Sequence, residues 1–287
     1  MFIRSLLSHI PYASWGFRAL TPFATVGVIF IVCGLLGIEG TAVLVLMFAA
    51  LLAQLLTTEI TRRGGSILSS GLGITPSMPR MLLIGLAGSV ISIVVVAGIA
   101  YALGAKLVMD GNGTTILAVA VLIMASFLEE LFFRGTMFEA VRERFGSFTA
   151  VGVTSVLFGL AHVFNNGASP IAIVNVVLAG FLFGVLTIYS GSLWPAMVFH
   201  ATWNVLVRAF FGTVSGNAVN GWISTLDMSG VSLESQWFIS GSFGIEQGVC
   251  TTLVLCAAIV ASVAFVRPDG TVRAARFRRD HYNEHHA

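Results

Sequence analysis

The sequence predicts an all-α, polytopic membrane protein of about eight transmembrane helices, and three observations carry that prediction. Hydrophobic residues make up 56% of the 287 and charged residues only 10%, where a soluble domain carries about 25% charged. Apolar stretches approaching the roughly 20 residues needed to cross a bilayer core as helix recur along the chain. Arginines gather in alternate connections between those stretches, the pattern of a chain inserted in one orientation.

The first stretch, 19–38, is too long for the apolar region of a signal peptide and has no convincing cleavage site after it, so it reads as a retained span. Further stretches follow at 41–58, 81–105, 115–141, 148–165, 170–189, 192–212 and 248–266. With the amino terminus inside, the cytoplasmic segments hold Arg4, Arg18, Arg62, Arg63, Arg80, Arg142, Arg144 and the tail arginines Arg267, Arg273, Arg276, Arg278 and Arg279, while the outside loops hold only Lys106. Both termini are therefore expected in the cytoplasm, in a bacterial plasma membrane. The segment 213–247, rich in Gly, Ser, Asn and Trp, reads as an outside loop lying partly in the interface through Trp222 and Trp237, and 267–287 reads as a basic cytoplasmic tail. No internal repeat is visible, so 1–287 reads as a single membrane domain. Gly180 and Gly184 form a GxxxG that suits close helix packing.

A net charge of +2 in short clusters does not suit nucleic acid; the expected partner of the basic clusters is the lipid headgroup layer. Cys33, Cys250 and Cys256 all sit in apolar runs, without a CxxC pattern, and read as small core residues.

Within the fourth stretch, Glu129, Glu130 and Arg134 interrupt an otherwise apolar helix, each at a cost of about 2.5 to 3.5 kcal/mol on the insertion scale. Glu130 and Arg134 are four apart and share a face, the spacing of a structural ion pair. Glu129 is five before Arg134, about 140° away around the helix. It is thus the carboxylate without a partner in its own helix, and an intramembrane acid of that kind marks a site.

Two histidines lie within stretches, His162 in the fifth and His200 in the seventh. Either alone reads as a satisfied core residue. Glu129 and His162, however, stand at equal distance from the turn at Arg144 to Ser147, about 25 Å along straight helices, and His200 and Asn204 enter from the same side on one helical face. Phe158 precedes His162 by four residues and is placed to pack beside it. An interhelical hydrogen bond is worth only about 0.6 kcal/mol on average in membranes, too little to explain an acid, two histidines and an asparagine at one level. Their chemistry suits attack of water on an amide: Glu129 with His162 to position and deprotonate the water, His200 and Asn204 to stabilise the oxyanion.

The three motifs Glu129-Glu130-Leu-Phe-Phe-Arg134, Phe158-Gly-Leu-Ala-His162 and His200-Ala-Thr-Trp-Asn204 resemble, in order and on consecutive helices, the EExxxR, FxxxH and HxxxN motifs of the CAAX protease and bacteriocin-processing family, also called Abi, which includes the Ras-converting CAAX prenyl endopeptidase. The resemblance spans about 115–212. It implies an all-helical membrane fold with a conical cavity, a glutamate-activated water with Glu129 as the catalytic acid of the pair, and endopeptidase activity near the carboxyl end of a membrane-embedded or lipidated peptide or protein. No cofactor and no metal are expected.

Three other readings compete. Glu129, His162 and His200 are a possible zinc set, though no HExxH accompanies them. A scaffold or immunity protein would keep the motifs for structure alone. A proton-coupled transporter would use the same residue types but is expected to show repeats and broken helices, which are not visible.

Overall fold

The structure, a computed structural model, describes residues 15–61, 71–218 and 221–266. Arg4, Arg62, Arg63, the tail arginines and the predicted basic tail lie outside the described residues. The architecture is helical, in the order α1 (Trp15–Leu36), α2 (Thr41–Thr61), α3 (Met78–Ala102), α4 (Ile116–Arg134), α5 (Thr136–Phe145), α6 (Ser147–Ala161), α7 (Pro170–Ser190), α8 (Trp194–Phe210), α9 (Leu233–Ile239) and α10 (Val249–Phe265). Every predicted apolar stretch is mostly helix. Five of the resulting segments are long and apolar enough to cross a membrane, Ile116–Phe145 being one of them. The helices α6, α8 and α10 have 15, 17 and 17 residues and fall short of that length, so the helical membrane fold stands while the count of eight spans is not reached by length alone. Large apolar side chains such as Leu35, Ile91 and Val260 face outward, as a lipid solvent requires. Cys33 and Cys250 are buried, but Cys256 also faces outward rather than into the core.

The predicted fourth span, 115–141, is broken at Gly135, whose backbone leaves helical geometry (φ −80°, ψ −125°). A Cβ there would stand 2.2 Å from the Leu131 carbonyl oxygen, so only glycine permits the bend. The chain re-enters helix as α5, a short segment tied down by ion pairs, Glu139 with Arg142 at 2.9 Å and Glu143 with Arg18 of α1 at 2.6 Å. Glu129 and His162 stand at equal distance from the turn only if the fourth helix runs straight to it, and the break at Gly135 removes that condition.

Behind the break, α7 is the central element and packs against α6, α8 and α10, while α3 lies along α8. The GxxxG works as expected: a Cβ on Gly180 would meet Ser155 Cα at 3.1 Å, and one on Gly184 would meet Val151 at 3.2 Å, so α6 and α7 approach closely because both positions lack side chains.

The segment 213–247 is more structured than a plain loop. Thr213–Val214 (β2) pairs with Asn217–Ala218 (β3), and Thr225–Asp227 (β4) pairs antiparallel with Lys106–Val108 (β1). Trp237 is exposed, whereas Trp222 lies under the Arg208 guanidinium. The segment ends in a 3-10 turn, Ile245–Gln247, that leads into α10.

Candidate active site

On α4, Ser126, Glu130 and Arg134 recur every four residues and form one buried face. On α8, His200 and Asn204 do the same. The two helices run antiparallel, and equal four-residue steps put the groups in register as two rungs. His200 Nδ1 lies 2.9 Å from Glu130 Oε1, and Asn204 Nδ2 donates to Ser126 Oγ at 3.0 Å. Ser126 Oγ itself donates to the Leu122 carbonyl. Ser126 belongs to none of the three motifs and was not singled out in the sequence.

The expected Glu130–Arg134 pair is present at 3.3 Å, with both side chains fully buried. Arg134 also donates to the Gly180 carbonyl at 2.8 Å. Its guanidinium sits among the rings of Phe158, Phe183 and Phe133, at 4.7, 5.4 and 5.7 Å from their centroids, a cage that stabilises a cation removed from water. Glu130 Oε1 therefore accepts from two groups, Arg134 and His200, and Glu130 is more than the partner of Arg134.

Phe158 packs beside His162 as expected, ring centroids 4.8 Å apart, and also touches His200. Phe183 stacks on the His200 ring at 4.8 Å. The imidazole is thus held by a carboxylate on one edge and an aromatic face on the other. With Glu130 Oε1 as the acceptor, Nδ1 of His200 carries a proton and Nε2 lies on the side of Glu129.

His162 was expected inside a span that runs to residue 165. It instead caps α6, which ends at Ala161. Its Nδ1 lies 2.8 Å from the Phe158 carbonyl oxygen. A carbonyl only accepts, so the proton sits on Nδ1 and the Nε2 lone pair is left to accept from something else. Among the described residues no hydrogen bond joins His162 to Glu129.

Glu129 lies on the flank of α4 with its side chain 34% exposed, and its Oε2 stands 3.8 Å from His200 Nε2. That oxygen is buried and has no hydrogen-bond partner. A gap of this width between two polar atoms is one that water bridges. Among the described residues, no three His, Cys, Asp or Glu side chains are grouped to hold a metal ion.

His162, His200 and Asn204 line one cleft, together with Phe158 and Phe183. Glu129 joins them through His200 rather than by lining that cleft. The far wall of the cleft comes from Ser215 and Glu246, in the segment expected as an outside loop, and from Thr251 of α10. Glu246 accepts from the Trp203 indole N–H and the Ser215 backbone N–H. Burial pushes its carboxyl above the usual range, while those two donors pull it back. It lies outside the motifs, and an acid in a Gly- and Ser-rich segment carries no signal that separates it from a solvated one.

Residues 111–206 match the family described as type II CAAX prenyl endopeptidase, Rce1-like. Over that segment the chain is similar to the CAAX protease family. The segment contains all three motifs, and the family is one of endopeptidases. Comparison with curated proteins and with solved structures finds no match. The Rce1-like segment covers α4 to most of α8; the wall carrying Ser215 and Glu246 lies beyond it.

Proposed function

We propose that the chain is an intramembrane endopeptidase that hydrolyses a peptide bond with water activated by Glu129. The observation that carries this reading is the contrast between the paired acids. Each acid has one buried oxygen without a hydrogen-bond partner, but Glu130 is wholly buried and its other oxygen is engaged by Arg134 and His200, whereas Glu129 is partly exposed and turns its free oxygen toward His200 Nε2. An acid left unpartnered inside a membrane helix is in place to take a proton from water.

In this mechanism Glu129 accepts a proton from a water that the His162 Nε2 lone pair helps to orient. The hydroxide formed adds to the scissile carbonyl carbon. The oxyanion accepts hydrogen bonds from Asn204, which has a second N–H beyond the one given to Ser126, and from His200 Nε2 in its protonated form, held between Glu130 and Glu129. The C–N bond then breaks as Glu129 returns its proton to the leaving nitrogen. Arg134 and Glu130 serve by fixing the His200 ring.

The substrate is a membrane-embedded or lipidated peptide or protein, consistent with helices whose outer surfaces are apolar and with a family named for prenyl endopeptidases. The orientation we propose keeps both termini in the cytoplasm. The test is a mass-spectrometric comparison of new carboxyl termini in membranes from cells with the wild-type protein and with Glu129→Ala. Wild-type cells are expected to contain carboxyl-terminal peptides missing from the variant. Identical sets would reject the endopeptidase reading in favour of a scaffold.

A further inference from the structure

Glu246 stands outside the family segment, yet its carboxylate faces the same cleft as His162, His200 and Asn204. Its backbone is firmly placed. Asn175 Nδ2 donates to the carbonyls of Glu246 and Gly248, and Thr251 Oγ1 donates to the carbonyl of Ile245. The side chain is placed too, since each oxygen has one N–H donor, from Trp203 on α8 and from Ser215. Ser215 is the one non-glycine residue among those described with a positive φ, 48°. Asn165 holds its carbonyl, so a strained turn is kept where its N–H meets Glu246.

Two neutral donors leave a carboxylate with further lone pairs, and among the described residues no lysine or arginine pairs with Glu246. The charged and titratable groups around it make the deficit larger. Glu129 and Glu130 already share His200 and Arg134, so three carboxylates face one permanent cation, Arg134, and the imidazoles of His200 and His162. A carboxylate drawn partly out of water in such surroundings is stabilised by a cation and repels another anion.

We propose that Glu246 is a specificity-determining residue of this cleft, which takes a Lys or Arg side chain, or a free amine, of the substrate beside the scissile bond and turns away a carboxylate there. This rests on the endopeptidase reading. A bound cation also favours ionised Glu246 against the upward push of burial, so binding and ionisation support each other.

The test extends the survey of new carboxyl termini to three proteins: wild type, Glu129→Ala and Glu246→Gln. Termini that depend on Glu129 define the cut sites. Within three residues of those cuts Lys and Arg are expected to be enriched and Asp and Glu depleted, and the bias is expected to vanish in Glu246→Gln. A peptide from the best site is then synthesised with Lys or Glu at the biased position. Purified wild type is expected to favour the Lys peptide in kcat/KM by at least about tenfold, a ratio within reach of one charge-assisted hydrogen bond, and Glu246→Gln by a factor near one. Cut sites without charge bias, or a bias that persists in Glu246→Gln, would overturn the assignment of Glu246 and leave the endopeptidase intact. No Glu129-dependent termini at all would remove both. Should Glu246→Gln fail to fold, the wild-type peptide pair decides alone, and equal rates would overturn the proposal.

Discussion

Replacing Glu130 by Gln removes one charge from a fully buried set and leaves the rest in place. Arg134 keeps the Gly180 carbonyl and its aromatic cage but loses its counter-ion, and the acceptor for His200 Nδ1–H becomes a neutral amide oxygen in place of a carboxylate. Breaking a buried pair by removing one partner costs about 3 to 5 kcal/mol, because the remaining charge is uncompensated. At about 2 to 4 °C per kcal/mol, that lowers the unfolding temperature in detergent by on the order of 10 °C. The diagnostic is a cycle with Arg134→Gln, followed by thermal unfolding at one scan rate. The double variant is expected to be more stable than the sum of the single losses predicts, by at least about 1 kcal/mol, since neither partner is then stranded. Additive losses, or a Glu130→Gln protein that melts like wild type, would refute the view that Glu130 carries the charge balance of the α4–α8 contact.

Three further outcomes follow from the same geometry. Asn204→Ala is expected to lower turnover by at least about 100-fold, the effect of removing one oxyanion donor; Ser126→Ala, which takes away only the partner of the other N–H, is expected to cost less, and the opposite order in peptide assays would place the donor elsewhere. Gly180→Ala puts a methyl 3.0 Å from Arg134 Nη2 and 3.1 Å from Ser155 Cα and is expected to destabilise by about 1 to 3 kcal/mol; unchanged thermal stability would mean that α6 and α7 can separate without loss. For topology, Arg144→Cys or Arg279→Cys, in a protein without Cys33, Cys250 and Cys256, is expected to resist a membrane-impermeant thiol reagent until cells are permeabilised, and ready labelling would reverse the proposed orientation.

The features legible in the sequence are those set by local helix geometry. Glu130 with Arg134, Phe158 with His162, and the shared face of His200 and Asn204 all follow from four-residue spacing, and the structure has all three. The Gly180–Gly184 contact follows from the missing side chains. What escaped depends on contacts distant in sequence or on one backbone angle. Gly135 permits the bend in the predicted fourth span because any Cβ there would clash with the Leu131 carbonyl, which only the folded backbone reveals. Glu130 meets His200, and Ser126 meets Asn204, across helices more than sixty residues apart, and no periodicity within either helix announces which antiparallel register joins them. Glu246 reaches the cleft because a 3-10 turn, Asn175 and the Ser215 turn converge on it, and a Gly- and Ser-rich segment read alone looks solvated.

The central claim is that Glu129, rather than a bound zinc, activates the water, and one comparison tests it most directly. Purified wild type and Glu129→Gln are assayed on a peptide spanning a mapped cut site, in strong chelator, with metal content and thermal stability measured on the same samples. The account predicts that wild type cleaves undiminished in chelator without stoichiometric zinc. It also predicts that Glu129→Gln, nearly isosteric and folded like wild type, is slower by at least about 100-fold, the lower end of what a general base contributes. Turnover retained by Glu129→Gln, or wild-type activity lost in chelator and recovered with zinc alone, would contradict it.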